Sequence, residues 1–194
     1  ATLATAGLAR VDLSGNGLSG EIFDMYGRSS GVDSDLAGIT TFCEALPSSK
    51  ITELLISECG LGPKSIAIVA STLAAAGVAR VDISGNPIGD DGIMALSAIL
   101  PTSKITELLV SKCGIGPRGV ASLAATLSTA GVVEVDISGN QLIGLDEDGR
   151  GTKDHAGWKA LCEVLPKSAI KSFKAASCQL NPKAIKTLRS TLST

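Results

Sequence analysis

The side chains able to do chemistry in this chain are few, and their spacing argues against catalysis. The single histidine, His155, stands beside Asp154. A His–Asp pair can orient an imidazole as a general base, yet no Ser or Cys sits in a nucleophile elbow and no glycine-rich phosphate loop occurs. The pair reads instead as part of a helix start. Five cysteines lie scattered with no Cys-x-x-Cys pairing, which leaves zinc without its close ligand pairs. Asp146-Glu147-Asp148-Gly149 offers a hard cation several carboxylate oxygens ahead of a Gly turn, but no bidentate Glu closes the loop at the spacing calcium needs. The expectation is a chain that is not an enzyme and that uses no cofactor and no metal.

The formal net charge is −2, so no basic field is available to neutralise phosphates. Nucleic acid and anionic membrane are therefore not expected as partners. No apolar run reaches the length of a membrane span, and the opening residues lack the charged-then-apolar pattern of a signal peptide. Unpaired cysteines read as reduced thiols, which implies a reducing, cytoplasmic setting.

The positions of the cysteines are explained by what surrounds them. One pattern recurs six times: aliphatic, two free, aliphatic, one free, aliphatic, two free, Asn or Cys, one free, aliphatic. The copies begin at Leu8, Ile51, Val78, Ile105, Val132 and Ile170. Their fixed polar or thiol positions are Asn16, Cys59, Asn86, Cys113, Asn140 and Cys178. The three middle intervals are each 27 residues; the first and last exceed that by inserts of 16 and 11 residues, at about 19–34 and 143–153. A chain turning inward after a short strand leaves backbone N–H and C=O groups to be paired. An Asn amide donates and accepts, so it can serve adjacent turns as a ladder. Cys fills the same slot as a small, mostly apolar group with a weak donor.

The second half of each copy reads as helix. Ile66/Val69/Leu73, Val120/Leu123/Leu127 and Ile185/Leu188/Leu192 are core-facing stripes, each opened by a Pro in the first turn at Pro63, Pro117 or Pro182. Ile39, Ile93 and Trp158 occupy the matching core position in the other copies, which close at Leu46-Pro47, Leu100-Pro101 and Leu165-Pro166. Strand then helix, six times, predicts a single α/β domain over 1–194: a curved solenoid with a parallel sheet on the concave face and helices on the convex face. Aromatics are only 3% of the chain, which suits a stack of thin aliphatic layers better than one large core.

With Asn-type and Cys-type copies alternating over essentially the whole chain, the sequence resembles the ribonuclease-inhibitor class of leucine-rich repeats. It departs from that class in repeat length, 27 rather than slightly more. The resemblance implies intracellular recognition of a protein partner on the concave face and its rims.

Alternate strand residues face the concave side. One row across the sheet reads Arg10, Glu53, Arg80, Glu107, Glu134, Ser172; the next reads Asp12, Leu55, Asp82, Leu109, Asp136, Lys174; a third is nearly all Ser. Neighbours in the first row can pair with each other, and the face has no aromatic anchor. The inserts add candidates: Phe23, Tyr26 and Arg28 in the first, Asp146, Asp148 and Arg150 in the second, with Arg80 and Glu107 on the sheet. Both inserts leave the solenoid just after a strand, on one rim. The expected function is a protein–protein interaction module using the concave face and rim loops. The alternatives are an assembly segment of a longer solenoid, or an enzyme regulator of inhibitor or GTPase-activating type through Arg28 or Arg150. Ala1-Thr2-Leu3 and Ser190-Thr191-Leu192 fall at the same phase of the repeat, without polar caps. Such ends fit a segment of a longer array and leave end-to-end self-association open.

Overall fold

The computed structural model describes residues 7–20, 22–23, 29–146 and 148–192. Six three-residue strands, β1 (Arg10–Asp12), β4 (Glu53–Leu55), β5 (Arg80–Asp82), β6 (Glu107–Leu109), β7 (Glu134–Asp136) and β8 (Ser172–Lys174), form one parallel sheet in the order of the chain. Each is followed by a helix: α1 (Ala37–Ala45), α2 (Pro63–Leu73), α3 (Gly89–Ile99), α4 (Pro117–Leu127), α5 (Ala156–Val164) and α6 (Pro182–Leu192). Inside the first insert, β2 (Ile22–Phe23) and β3 (Ser29–Gly31) pair antiparallel as a small separate hairpin.

Register follows from the pattern. Arg10, Glu53, Arg80, Glu107, Glu134 and Ser172 are direct neighbours, as are Asp12, Leu55, Asp82, Leu109, Asp136 and Lys174. The residue between them in each strand points inward, where Leu54, Val81, Leu108 and Val135 are fully buried. Each such aliphatic side chain contributes roughly 1.5–3 kcal/mol by leaving water. Ile66, Val69 and Leu73 of α2, and Val120, Leu123 and Leu127 of α4, complete the layers. Trp158 is wholly buried at its Ile-equivalent position, and its indole Nε1–H donates to the Ala184 carbonyl of α6 at 2.9 Å. It therefore ties the fifth copy to the sixth.

The stripe on α6 departs from expectation. Ala184 is its buried residue, while Ile185 is 50% and Leu192 64% exposed. The equivalent Ile66 and Leu73 are covered because another layer stacks beyond them; beyond α6 no described element does.

The ladder is resolved into a division of labour. Asn86 Oδ1 accepts the N–H groups of Cys59 (2.9 Å) and Leu61 (3.0 Å), while its Nδ2 donates to the carbonyls of Ile56 (2.8 Å) and Ile83 (2.6 Å). Asn140 repeats this on Cys113, Ile115, Val110 and Ile137. Each Asn thus closes the turn of the preceding Cys-type copy. Each Cys then donates its S–H backwards, Cys59 to Leu13, Cys113 to Ile83 and Cys178 to Ile137. Asn16 is the exception to the predicted buried ladder. It is exposed, and its bonds among the described residues go to the Leu13 and Ser14 carbonyls of its own turn.

Glycine is demanded where copies meet at the turns. Gly85 and Gly139 have φ of +73° and +70°, and a Cβ on either would strike the side chain of Glu58 or Lys112 folding over from the previous copy.

Candidate functional site

No element among the described residues covers the concave sheet face, and its polar groups are ordered by the same backbone logic. Asp12, Asp82 and Asp136 each turn one carboxylate oxygen onto the N–H two residues ahead, at Ser14 (3.2 Å), Ser84 (3.0 Å) and Ser138 (2.9 Å). The bond to the Ser14 backbone holds the Asp12 carboxyl below the usual carboxylate range, with help from Arg10. Ser14, Ser84 and Ser138 in turn accept the N–H of Ser57, Ser111 and Ala176 in the next copy. These bonds tie the Asp and Ser side chains of the face to its backbone.

Arg10 lies 3.4 Å from Asp12 and 3.6 Å from Glu53, Arg80 pairs with Glu107, and Lys174 meets Glu134 at 2.6 Å. The Glu134 hydrogen bond raises the Lys174 ammonium above its ordinary value. Within the first row Arg10 and Arg80 thus pair with Glu53 and Glu107, as its alternation implied, while Glu134 is met by Lys174 from the second row. These exposed pairs add on the order of 0–1 kcal/mol each and mainly fix side-chain positions. A groove of about 430 Å³ runs between them, walled by Arg10, Glu53, Arg80 and Glu107 with Leu55 on its floor.

The second insert is less free than its length suggests. Leu142, Ile143 and Leu145 are buried, so the segment is anchored where it leaves the solenoid, and Leu145 pairs with Gly151 across its neck. Asp146 Oδ1 accepts the N–H of Asp148 (3.1 Å) and Arg150 (2.8 Å), and Arg150 pairs with Asp148 at 3.1 Å. One oxygen of the acidic run is thus spent on its own turn, and no group of three His, Cys, Asp or Glu able to hold a metal occurs among the described residues. Tyr26, Arg28 and Glu147 lie outside the described residues; of Phe23 only the strand backbone is described. The insert two residues are not part of the groove lining, so the candidates divide between two surfaces.

His155 does not engage Asp154. Asp154 accepts the Ala156 N–H (2.9 Å) at the start of α5, and His155 Nε2 faces Asn181 Nδ2 at 3.3 Å. All five cysteines are free and buried. Burial raises every one of their thiols, to about 11 for Cys43 and Cys162 and about 12 for Cys113.

Two helix starts depend on a residue from the copy before, which the sequence pattern did not reveal. Asp33, at the end of the first insert, accepts the N–H groups of Gly62 (3.0 Å), Lys64 (2.8 Å) and Ser65 (3.1 Å) at the head of α2. Asp90 does the same for Gly116 (2.7 Å) and Gly119 (2.9 Å) at α4. A carboxylate at a helix N-terminus satisfies orphan donors and complements the dipole. The only sequence trace is the Gly before each Pro, since a Cβ on Gly62 would collide with Asp33.

A family model described as Leucine Rich repeat matches residues 80–97 and 103–124. The fold is a leucine-rich-repeat solenoid. Among solved structures, the solenoid is similar to "Leiomodin-1 Actin-Binding Site 2", with 13% identity, 83% of this chain and 87% of that one covered, and a TM-score of 0.62. It is also similar to the tropomodulin C-terminal domain of Caenorhabditis elegans, with 13% identity, 82% and 92% covered, and a TM-score of 0.56. At that identity the likeness is one of fold. No curated protein matches the solenoid by sequence.

Proposed function

We propose that this solenoid is a non-enzymatic protein-interaction module that holds its partner on the concave sheet face and the adjoining rim inserts. The observation that carries the reading is the six-stranded face, covered by no described element, where charged and apolar side chains are fixed in rows by backbone hydrogen bonds and ion pairs. A surface held in this way loses little conformational entropy on binding. The exposed Asp148–Arg150 pair on the second insert supplies rim contacts, as do Phe23, Tyr26 and Arg28 on the first. The Asn and Cys hydrogen bonds support the ribonuclease-inhibitor-like class, the free buried thiols support a reducing compartment, and the net charge of −2 disfavours nucleic acid. His155 facing Asn181 rather than a nucleophile supports the non-enzymatic reading.

Actin is the first defined partner to test, because the leiomodin segment of the same fold is named for binding it. A photo-crosslinking residue placed at position 109 on the sheet, 150 or 26 on the inserts, or 94 on the exposed side of α3 is irradiated with actin and, separately, with cell lysate. Crosslinks from 109, 150 or 26 with none from 94 are expected. Adducts only from 94 would move binding to the convex side and sink the reading.

A second reading, assembly through the face of the sixth copy, is favoured by exposed Ile185 and by a cavity of about 450 Å³ lined by Leu165, Ile170, Phe173, Leu188 and the exposed Leu192. It requires an apparent mass that rises with protein concentration.

A further inference from the structure

We infer that the concave face takes an amphipathic α-helix carrying basic residues at heptad spacing, an inference that rests on the concave-face reading above and names the partner's chemistry. The two outer rows hold six carboxylates, Asp12, Glu53, Asp82, Glu107, Glu134 and Asp136, against three cations, Arg10, Arg80 and Lys174. Each cation is already paired, Arg10 with Glu53 and also Asp12, Arg80 with Glu107 and Lys174 with Glu134. Asp82 and Asp136 make no ion pair among the described residues, and each uses one oxygen on a backbone N–H. The face is therefore acidic where its charge is unspent, although the chain as a whole is close to neutral.

The second row adds a period. Asp12, Leu55, Asp82, Leu109 and Asp136 lie on successive neighbouring strands, so carboxylate and leucine alternate across the first five strands, and Lys174 closes the row beside Asp136. Neighbouring strands are about 4.8 Å apart, which puts carboxylates about 9.6 Å apart with a leucine halfway. Leu55, 9% exposed, forms the floor of the charged groove. A ligand complementary to this row must present a cation every 9–10 Å, and an apolar group midway on the same side.

Backbone geometry selects among ligands. In a β-strand a residue three positions on is at about the right distance, roughly 10 Å, but points to the opposite face. A polyproline helix returns to the same face after three residues, about 9.3 Å, yet offers nothing on that face halfway. An α-helix returns after seven residues, about 10.5 Å, and also places residues three and four positions on along the same side at about half that distance. The mismatch of about 1 Å per period is within the reach of a Lys side chain over the two periods from Asp12 to Asp136. The match is thus to a helix with Lys or Arg every seventh residue and Leu-type side chains between.

The test uses the full chain and a fluorescent synthetic helix of three heptads, with Lys at every seventh position and Leu four residues after each Lys. Binding is read by fluorescence anisotropy at low and moderate salt. The expected result is saturable binding at least tenfold tighter than that of the same peptide with Glu for Lys, or with Gln for Leu, or with the Lys spacing changed to every third residue. Asp82→Asn with Asp136→Asn keeps the oxygens that accept the Ser84 and Ser138 N–H groups and removes the charge, so the fold is retained; it should weaken binding at least fivefold. Asp91→Asn on the convex side should change it less than twofold. Equal binding of the respaced peptide, or indifference to the Asp82 and Asp136 changes, would overturn the inference. Partner crosslinks at position 109 without helix binding would leave the concave-face reading standing and remove only this partner class; no crosslinks and no helix binding would remove both.

Discussion

Replacing Asn86 by alanine tests whether the inter-copy ladder holds the solenoid together. The change removes the acceptor for the Cys59 and Leu61 N–H groups and the donor to the Ile56 carbonyl, all at buried positions. The Ile83 carbonyl keeps the Cys113 thiol as a partner at 3.4 Å. Three backbone groups are left without their partners, at about 1–3 kcal/mol each when buried. Allowing a water to enter the vacated space, the expected loss is about 3–6 kcal/mol. That is a large share of the roughly 5–15 kcal/mol stability of a typical domain. Asn16→Ala is the matched control: the same residue type at the same repeat position, but exposed and, among the described residues, bonded to its own turn. It should cost less than about 1 kcal/mol. Urea unfolding followed by far-ultraviolet circular dichroism gives the global stability, while fluorescence of Trp158 reports a copy two layers away from Asn86. In a stack with nearest-neighbour coupling, a break at Asn86 that uncouples the halves separates the two transitions, whereas a global loss moves them together. A cost within 1 kcal/mol of wild type, or equal to that of Asn16→Ala, would refute the ladder as the source of cohesion.

Trp158→Phe removes the indole N–H to Ala184 and part of the packing against α6; it should cost about 1–3 kcal/mol and speed amide exchange in α6 before α2. Asp90→Ala should destabilise by about 1–2 kcal/mol and accelerate exchange at Gly116 and Gly119, whereas Asp91→Ala, on an exposed pair with Arg118, should do neither. The buried thiols should resist a thiol-specific reagent at pH 8 until denaturant is added, because a Cys113 thiol at about 12 is only about one part in ten thousand thiolate there. The same shifts fix a pH dependence. Thiols raised from 9.0 in the unfolded chain to about 11 and 12 in the fold favour folding fully below pH 9, and that contribution is lost as pH rises through 11 to 12. Urea midpoints should therefore fall between pH 9 and 11, and fall less in Cys113→Ala; a flat profile would contradict the assigned burial.

Much of this was legible because a solenoid is a local code. An aliphatic triplet at strand spacing, an Asn or Cys at a fixed offset and a Pro-led apolar stripe each act within one copy or on its nearest neighbour, so periodicity determines strand, turn, helix and the parallel order of the sheet. The burial of Trp158 and the side-by-side rows on the concave face follow from the same register. Other features needed three dimensions, because they depend on which copy lies next to which. Asp33 and Asp90 cap helices some thirty residues onward, and no spacing within a copy announces a carboxylate that works in trans. Asn16 carries the ladder residue but is exposed, with its described bonds inside its own turn, and periodicity does not distinguish it from Asn86 or Asn140. Length alone marked 143–153 as a protruding loop, whereas packing buries Ile143 and Leu145 and leaves the acidic tip outside. Which carboxylates on the concave face remain unspent was likewise decided in space: the sequence lists the charges, but only geometry assigns Arg80 to Glu107 and Lys174 to Glu134, leaving Asp82, between Leu55 and Leu109, and Asp136, between Leu109 and Lys174, without an ion pair among the described residues.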